Sequence, residues 1–412
     1  MEEWKEYTVQ ELIDKGMLAA PMDGNHGEKH PKTGDYVPTG IPFIMANNLI
    51  GGTVDYKNCA FISKTQANSL DKGFAKPGDV LLTHKATIGR TAIVPNDYDF
   101  IVLTPQVTYY RPLKGIDNRF LKYYFDTVQF QSLFKNWAGA GSTRAYLGIT
   151  AQRKLPIVLP DIGTQKKITS ILKSLDDEIE VNRRINDNLE QQAQALFKSW
   201  FVDFEPFKDG EFVYSELGMI PKGWKVGSIY EYIDVIYGAP YKSSLFNEDK
   251  DGLPLIRIRD LKTNAPQFYT PEILPNTEYI EAGDIVAGMD AEFIPYIWLG
   301  EKGVLNQRCC KFKTKNDAIS NYYVLFLIKP ELEFVQSYKT GTTVSHLGKS
   351  DIDRFKFIIP PINLLLAFSK IVNPFIKEVI NRAKESRRLA TLRDTLLPKL
   401  MSGELKVNEI EI

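Results

Sequence analysis

Cysteine is scarce in this chain. Three residues of 412 are Cys (Cys59, Cys309 and Cys310), none in CxxC spacing, which excludes a disulfide framework and fits a reducing cytoplasm. An excess of charge is also missing. Lys and Arg number 51 and Asp and Glu 51, for a formal net charge of zero, so any nucleic-acid binding must rest on local basic faces. No apolar run approaches the ~20 residues of a membrane-spanning helix, and the opening MEEWKEYTVQ has no signal-peptide character. A cytoplasmic protein away from membranes is expected. The four histidines (His26, His30, His84 and His346) stand in no cysteine or acidic cluster at metal-ligand spacing. HExxH and GxSxG are absent. Thr343–Ser350, TVSHLGKS, resembles a phosphate loop only superficially, because that loop needs Gly at position 343 and Gly341 lies two residues early. Asn373-Pro374-Phe375 lacks the second Pro and the Gly-rich cofactor loop of an amino-methyltransferase. No catalytic residue, metal or cofactor is expected in this chain.

The chain does contain a long helix written twice. Gln165–Trp200 has no Gly or Pro, and Ile168, Leu172, Leu175, Ile179, Leu189, Ala193, Leu196 and Trp200 follow a 4-3 spacing. Only Asn182 and Asn186 interrupt this seam, and both keep its phase, as in a helix packed along a partner helix. Shifted by 200 residues, the seam reads Phe368, Val372, Phe375, Val379, Arg382, Ser386, Leu389, Arg393, Leu396 and Leu400, with the polar positions recurring in place. The match continues upstream: Gly141-Ser142-Thr143 answers Gly341-Thr342-Thr343, and Leu147-Gly148 answers Leu347-Gly348. A gapless match over about sixty positions marks an internal repeat.

The globular parts repeat more loosely. Trp4-Lys5 recurs as Trp224-Lys225, Ile41-Pro42-Phe43-Ile44 as Leu253-Pro254-Leu255-Ile256, Pro77-Gly78-Asp79-Val80 as Ala282-Gly283-Asp284-Ile285, and Gln106 as Gln307. The expected organisation is a mixed domain over 1–160, a helix over 161–204, a second mixed domain over 205–360, and a second helix with a short tail over 361–412. The fold class is α+β. Val80–Leu82, Phe100–Pro112 and Leu155–Pro160 read as strands, and Arg119–Trp137 as a helix. Gly163-Thr164 offers a start for the first long helix. Pro374 suits the first turn of the second, and Pro398 and Gly403 its end.

Several loop residues have chemistry suited to DNA. Thr83, His84, Lys85, Thr87 and Arg90 follow one Gly-Asp-Val strand, and cations and hydroxyls there suit phosphates and base edges. Met289, Asp290 and Glu292 follow the matching Gly-Asp-Ile strand, and carboxylates can accept from cytosine amines. A solvated turn explains both loops equally well. Arg257 and Arg259, on a stretch that reads as a strand, match Asn47 and Asn48; arginine suits guanine and asparagine adenine, yet both are common on plain surfaces. Ser142, Thr143 and Arg144, with Thr342 and Thr343, suit phosphate contacts or simply close a loop. Arg308 is either a contact or part of a core polar pair with Gln307.

At Ala195–Pro206 (ALFKSWFVDFEP), Leu396–Leu405 (LLPKLMSGEL), Asp177–Ile185, Gly288-Met289-Asp290 and Leu305–Arg308 the chain resembles the specificity subunit of type I restriction-modification enzymes. The resemblance covers essentially the whole chain. It implies two tandem target recognition domains, each reading half of a bipartite site in double-stranded DNA, and an antiparallel coiled coil that sets their separation. It also implies docking of two methyltransferase subunits and of restriction subunits. S-adenosylmethionine, ATP and Mg would then belong to those partners. A two-headed coiled-coil scaffold without DNA recognition, or a stand-alone DNA enzyme, are the rival readings; DNA binding with the partner and cofactor binding by the chain separate them. For an antiparallel pair the polar seam positions choose the register, with Asn182 facing Ser386 and Asn186 facing Arg382, because a buried polar group without a partner costs ~1–3 kcal/mol. Leu175 then meets Arg393, and Trp200 meets Phe368.

Overall fold

The structure, a computed structural model, describes residues 4–139, 145–339 and 346–407. It divides into two compact units, Met1–Asp177 with Ala390–Ile412, and Glu178–Leu389. Both long helices pass from one unit into the other.

The first unit holds a five-stranded sheet in the order Tyr36–Val37, Ala60–Ile62, Ile41–Ile44, Ile101–Leu103, Phe74–Ala75. A four-stranded sheet runs Thr87–Ile93, Val80–Lys85, Val107–Tyr110, Met22–Asp23. Lys5–Thr8 pairs antiparallel with Pro156–Leu159, just before the first long helix. The second unit repeats this plan. Its four-stranded sheets are Ile233–Tyr237, Cys309–Thr314, Ile285–Gly288, Pro295–Ile297 and Phe268–Thr270, Leu253–Ile256, Gly303–Leu305, Tyr279–Ile280. Lys225–Ser228 pairs with Lys356–Ile359. The parallel pair Ile41–Ile44 with Ile101–Leu103 has its counterpart in Leu253–Ile256 with Gly303–Leu305.

The recurring Gly-Asp pair has a local cause. Gly78 and Gly283 sit at φ 88° and 105°, backbone that a side chain disfavours. The carboxylate that follows closes the turn: Asp79 accepts from the Lys76 amide (2.7 Å) and Asp284 from the Glu281 amide (2.8 Å). Each glycine carbonyl accepts from an asparagine at a helix start, Asn118 (3.0 Å) or Asn321 (2.7 Å). Asp79 is buried and held by two bonds from Arg111 (2.8 and 2.7 Å). These contacts aim the next strand in the same direction in both units.

Several local expectations change. Arg119–Trp137 is two helices, Asn118–Asp126 and Val128–Trp137, because Thr127 is extended (ψ 144°) and caps the second through its hydroxyl. Arg257–Asp260 is not a strand: Ile258–Leu261 is one helical turn, closed at its start by the Asp260 carboxylate, which accepts from the Arg257 amide (3.0 Å). The first long helix runs Ile162–Phe197 and widens into a π-helical turn at Lys198–Val202. Its start is set by Asp161, whose carboxylate accepts from the amides of Gly163 (2.8 Å) and Thr164 (3.1 Å) and from the Thr164 hydroxyl (2.6 Å). The second long helix runs unbroken over Ile362–Met401, through both Pro374 and Pro398. Packing of its apolar face outweighs the lost backbone bonds.

The long helices pair antiparallel inside each unit. Ile168, Ile171 and Leu172 share the first core with Leu397, Leu400 and Met401. Ala193 and Phe197 share the second with Leu365, Phe368, Val372 and Ile376. The Trp200 and Phe368 rings meet at 6.2 Å, as the seam requires. In the first unit, Arg393 bonds Asp176 (2.8 Å), beside the expected Leu175. The polar positions differ from expectation. The side-chain oxygen of buried Asn182 accepts from Arg382 (2.8 Å) and its amide donates to Glu385 (3.1 Å), while Asn186 donates to the Val379 carbonyl (3.3 Å). Partners therefore lie up to four residues nearer the N-terminus of the second helix than Ser386 and Arg382. A guanidinium on a long stem satisfies Asn182 across the seam where a short serine hydroxyl has less reach.

Candidate nucleic-acid interface

Each unit presents one cluster of strand ends and turns built on the same backbone frame. In the first unit Val80–Lys85 turns into Thr87–Ile93 through Ala86, at φ 63°. The His84 amide donates to the Gln106 carbonyl (2.9 Å), the Leu147 amide to the His84 carbonyl (3.0 Å), and Lys85 bridges to Tyr146. In the second unit the chain leaves Ile285–Gly288 through Ala291, at φ 61°. The Met289 amide donates to Arg308 (2.8 Å), Leu347 to Met289 (2.7 Å), and Asp290 bridges to His346.

The adjoining turns also match. The Val107 amide returns to Thr104 (3.1 Å) and that of Cys309 to Asn306 (2.9 Å), while the amides of Thr104 and Asn306 both reach the neighbouring strand, at Ile44 and Ile256 (3.0 Å each). Gln106 therefore corresponds to Arg308, not to Gln307 as the sequence match implies. Lys85, Gln106 and Tyr146 correspond to Asp290, Arg308 and His346.

The expected DNA contacts divide by exposure. Lys85, Thr87, Arg90, Asn47, Arg259 and Arg308 are exposed. The Lys85 ammonium lies 5.9 Å from the Tyr146 ring centre. Arg90 reaches the Ala46 carbonyl (3.3 Å). Asp290 accepts from Arg308 (2.7 Å) and is bonded to His346 Nδ1 (2.6 Å), so one carboxylate holds both side chains. Glu292 accepts from the Tyr296 hydroxyl (2.7 Å). Burial, reinforced by that carboxylate, pushes the Tyr296 phenol up.

Other expected contacts are buried and held inside the fold, which removes them from the surface. Asn48 accepts from the Met45 amide (2.9 Å) and donates to Asn58 (3.2 Å). Thr83 accepts from the Arg90 amide (2.9 Å). Burial pushes the His84 imidazole down, against the opposing pull of its bond to the Leu147 carbonyl (3.0 Å). Met289 lies in the core. Arg257 is only half-buried; it stacks on Phe268 at 4.3 Å and bonds Asp260 and Gln267 (both 3.4 Å). Ser142, Thr143, Arg144, Thr342 and Thr343 lie outside the described residues.

Sequence reasoning missed Tyr146 and His346. Nothing but their place before the repeated Leu-Gly marks them, because their bridges join segments some sixty residues apart. It also missed Asp23, a buried carboxylate bonded to His26 Nε2 (2.8 Å) and Lys72 on the strand end beside Thr108. Burial would raise the Asp23 carboxyl, but Lys72 and His26 outweigh it and hold it below its ordinary value.

Among the described residues no group of three or more His, Cys, Asp and Glu side chains is placed to hold a metal. Burial pushes the Cys310 thiol up to about 12 and Cys309 further still, so both resist becoming thiolates. A cleft of about 690 Å³ in the first unit contains Lys122, Asp126, Asp176 and Arg393, but these are joined in pairs at 2.7 and 2.8 Å. No helix of the described residues is long and apolar enough to cross a membrane.

Comparison with known proteins identifies the family. The family described as type I restriction modification DNA specificity domain matches residues 1–191 and 221–386. The type I restriction enzyme MjaIX specificity subunit of Methanocaldococcus jannaschii is 30% identical, over 98% of this chain and 95% of its own. The HindI specificity subunit of Haemophilus influenzae is 24% identical, over 98% and 100%. A crystal structure of a type I restriction-modification S subunit from M. genitalium has the same fold, with TM-score 0.52 and 16% identity over 97% of this chain and 96% of that one. Two copies of the family domain, a full-length relative and a shared fold place this chain in the family of type I restriction-modification specificity subunits.

Proposed function

We propose that this specificity subunit reads a bipartite double-stranded DNA site with one recognition domain per half, over residues 1–160 and 205–360, and performs no chemistry itself. The observation that carries this reading is the pair of strand-end clusters, which share a backbone frame and differ in side chains. Two methyltransferase subunits dock on the chain and bring S-adenosylmethionine to adenine; restriction subunits bring ATP and Mg. The complex works on DNA in the cytoplasm. Zero net charge leaves much of the phosphate neutralisation to those partners, so the chain alone binds DNA weakly.

The test is coexpression with the methyltransferase partner, followed by single-molecule sequencing of methylated adenines. The expected motif has two short halves and a fixed spacer. Replacing residues 4–160 with the equivalent part of a relative changes one half and leaves the other. A motif without two halves, or a change in both, contradicts the reading.

A further inference from the structure

We propose that positions 85, 106 and 146 in the first unit, and 290, 308 and 346 in the second, set the base sequence of each half-site. The inference rests on the reading above and names the positions that carry it.

The frame around these positions is the same in both units. Each position is anchored by a matching backbone bond or bridge. The residues that shape the frame keep their character: Ala86 and Ala291 take the same positive φ, and Leu147 and Leu347 are both buried. A methyl group on Gly24 or Gly238 would collide with the backbone of the Leu103–Thr104 or Leu305–Asn306 segment. Against this constant frame the three side chains change in charge, size and bonding: Lys for Asp, Gln for Arg, Tyr for His. The fold does not require such changes at Lys85, Tyr146, Arg308 and His346, which are exposed, whereas Gln106 is half-buried and the Asp290 side chain is 22% exposed. The side chains of His346 and Arg308 are 51% and 57% exposed, and Tyr146 is 48% exposed. A frame held constant beneath unlike side chains, four exposed and two half-buried, is what two readers of unlike sequences need.

The chemistry of each set differs accordingly. The Gln106 amide carries one donor and one acceptor, the pattern that matches the major-groove edge of adenine, whereas a guanidinium offers two donors matched to guanine. Arg308 is held in one orientation by Asp290, which also holds His346. In the first unit Lys85 places an ammonium where the second has that carboxylate, beside Tyr146. The first set therefore favours acceptors at its outer position, and the second presents a fixed guanidinium beside an imidazole.

The experiment uses the full chain in complex with its methyltransferase partner, reads methylated adenines by single-molecule sequencing, and measures binding to oligonucleotides that vary each half-site. Gln106→Arg should change the preferred base pair at one position of one half-site, and Arg308→Gln one position of the other. Each should lower binding to the original base by roughly 5- to 150-fold and leave the opposite half unchanged. Asp290→Asn should relax the position read by Arg308. The triple exchange Lys85→Asp, Gln106→Arg, Tyr146→His should move its half-site toward the sequence of the other. An unchanged motif in all four complexes overturns the inference, and so does an equal loss on every sequence, which marks phosphate contacts. If the triple exchange does not fold, the single variants decide. A wild-type complex without a bipartite motif refutes the two-headed reading itself; a bipartite motif indifferent to these variants refutes the inference alone.

Discussion

A methyl group on Gly24 would stand 1.8 Å from the Leu103 carbonyl oxygen, and one on Gly238 would stand 2.2 Å from that of Asn306. Backbone on the neighbouring segment cannot swing aside as a side chain can. Gly24→Ala and Gly238→Ala should therefore each destabilise their own unit by about 1–3 kcal/mol or more, seen by hydrogen exchange as loss of protection in that unit alone. Equal loss in both units would show that the damage is not local. Charge effects at this scale are smaller. Bonds from Arg183 and Arg184 outweigh burial and hold the Glu180 carboxyl down at about 2, against an ordinary value of 4.5. A depressed carboxyl contributes stability above its unfolded value and loses it as pH falls through the folded one. Glu180→Gln should therefore cost a few tenths to ~1 kcal/mol at neutral pH, as exposed ion pairs do, with the difference vanishing between pH 4.5 and about 2. A difference that persists at pH 2 in denaturant melts rules out the ion pairs as its source.

Among the elements, the long helices combine strong patterning with two local irregularities. Asn182 is fully buried in the seam and bonded on both sides of its amide. Asn182→Ala should cost ~1–3 kcal/mol by removing its charge-assisted bonds to half-buried Arg382, which keeps Glu378 at 2.7 Å, and to exposed Glu385, measured by chemical denaturation; Asn188→Ala, on the exposed side, serves as the control. Pro374 lies more than three turns inside the second helix, where it removes a backbone bond and crowds the preceding turn. Pro374→Ala should stabilise the second unit by up to ~3 kcal/mol. No gain in midpoint would mean that the helix already bends to accommodate the ring. The sequence places the second helix over roughly Ile362–Leu397, close to the observed Ile362–Met401; the alternative start near Pro374 rests on first-turn preference and ignores Phe368 and Val372, which carry the apolar seam upstream of it.

For the whole molecule the proposed ruler is the length of these helices. From Ile168 to Trp200 a helix spans roughly 48 Å, and half-sites one DNA turn apart lie ~34–36 Å from centre to centre. One heptad added to both helices lengthens each by ~10 Å, about three base pairs at ~3.4 Å. The methylated motif should keep both halves and gain that spacer. An unchanged spacer would assign the spacing to the partner subunits.

The sequence by itself determined the internal repeat, the long antiparallel helices and the family, because these rest on periodicity and short motifs that one stretch of chain expresses alone. Strand positions such as Val80–Leu82 and Leu155–Pro160 were legible for the same reason, although the first strand runs on to Lys85, through residues that read as a loop. Only the tertiary structure decided which loop residues face outward. Thr83 and Lys85 are neighbours in one strand, yet one is buried and the other exposed, and the difference depends on strands Val107–Tyr110 and Thr87–Ile93 pairing around them. The correspondence of Gln106 with Arg308 was hidden because identical glutamines sit one residue out of step, and only the backbone bonds to His84 and Met289 correct the alignment. Tyr146 and His346 reach the cluster through bridges between segments far apart in the chain. Periodicity reports on neighbours along the backbone, whereas the candidate interface is assembled from residues that become neighbours only when the strands pair.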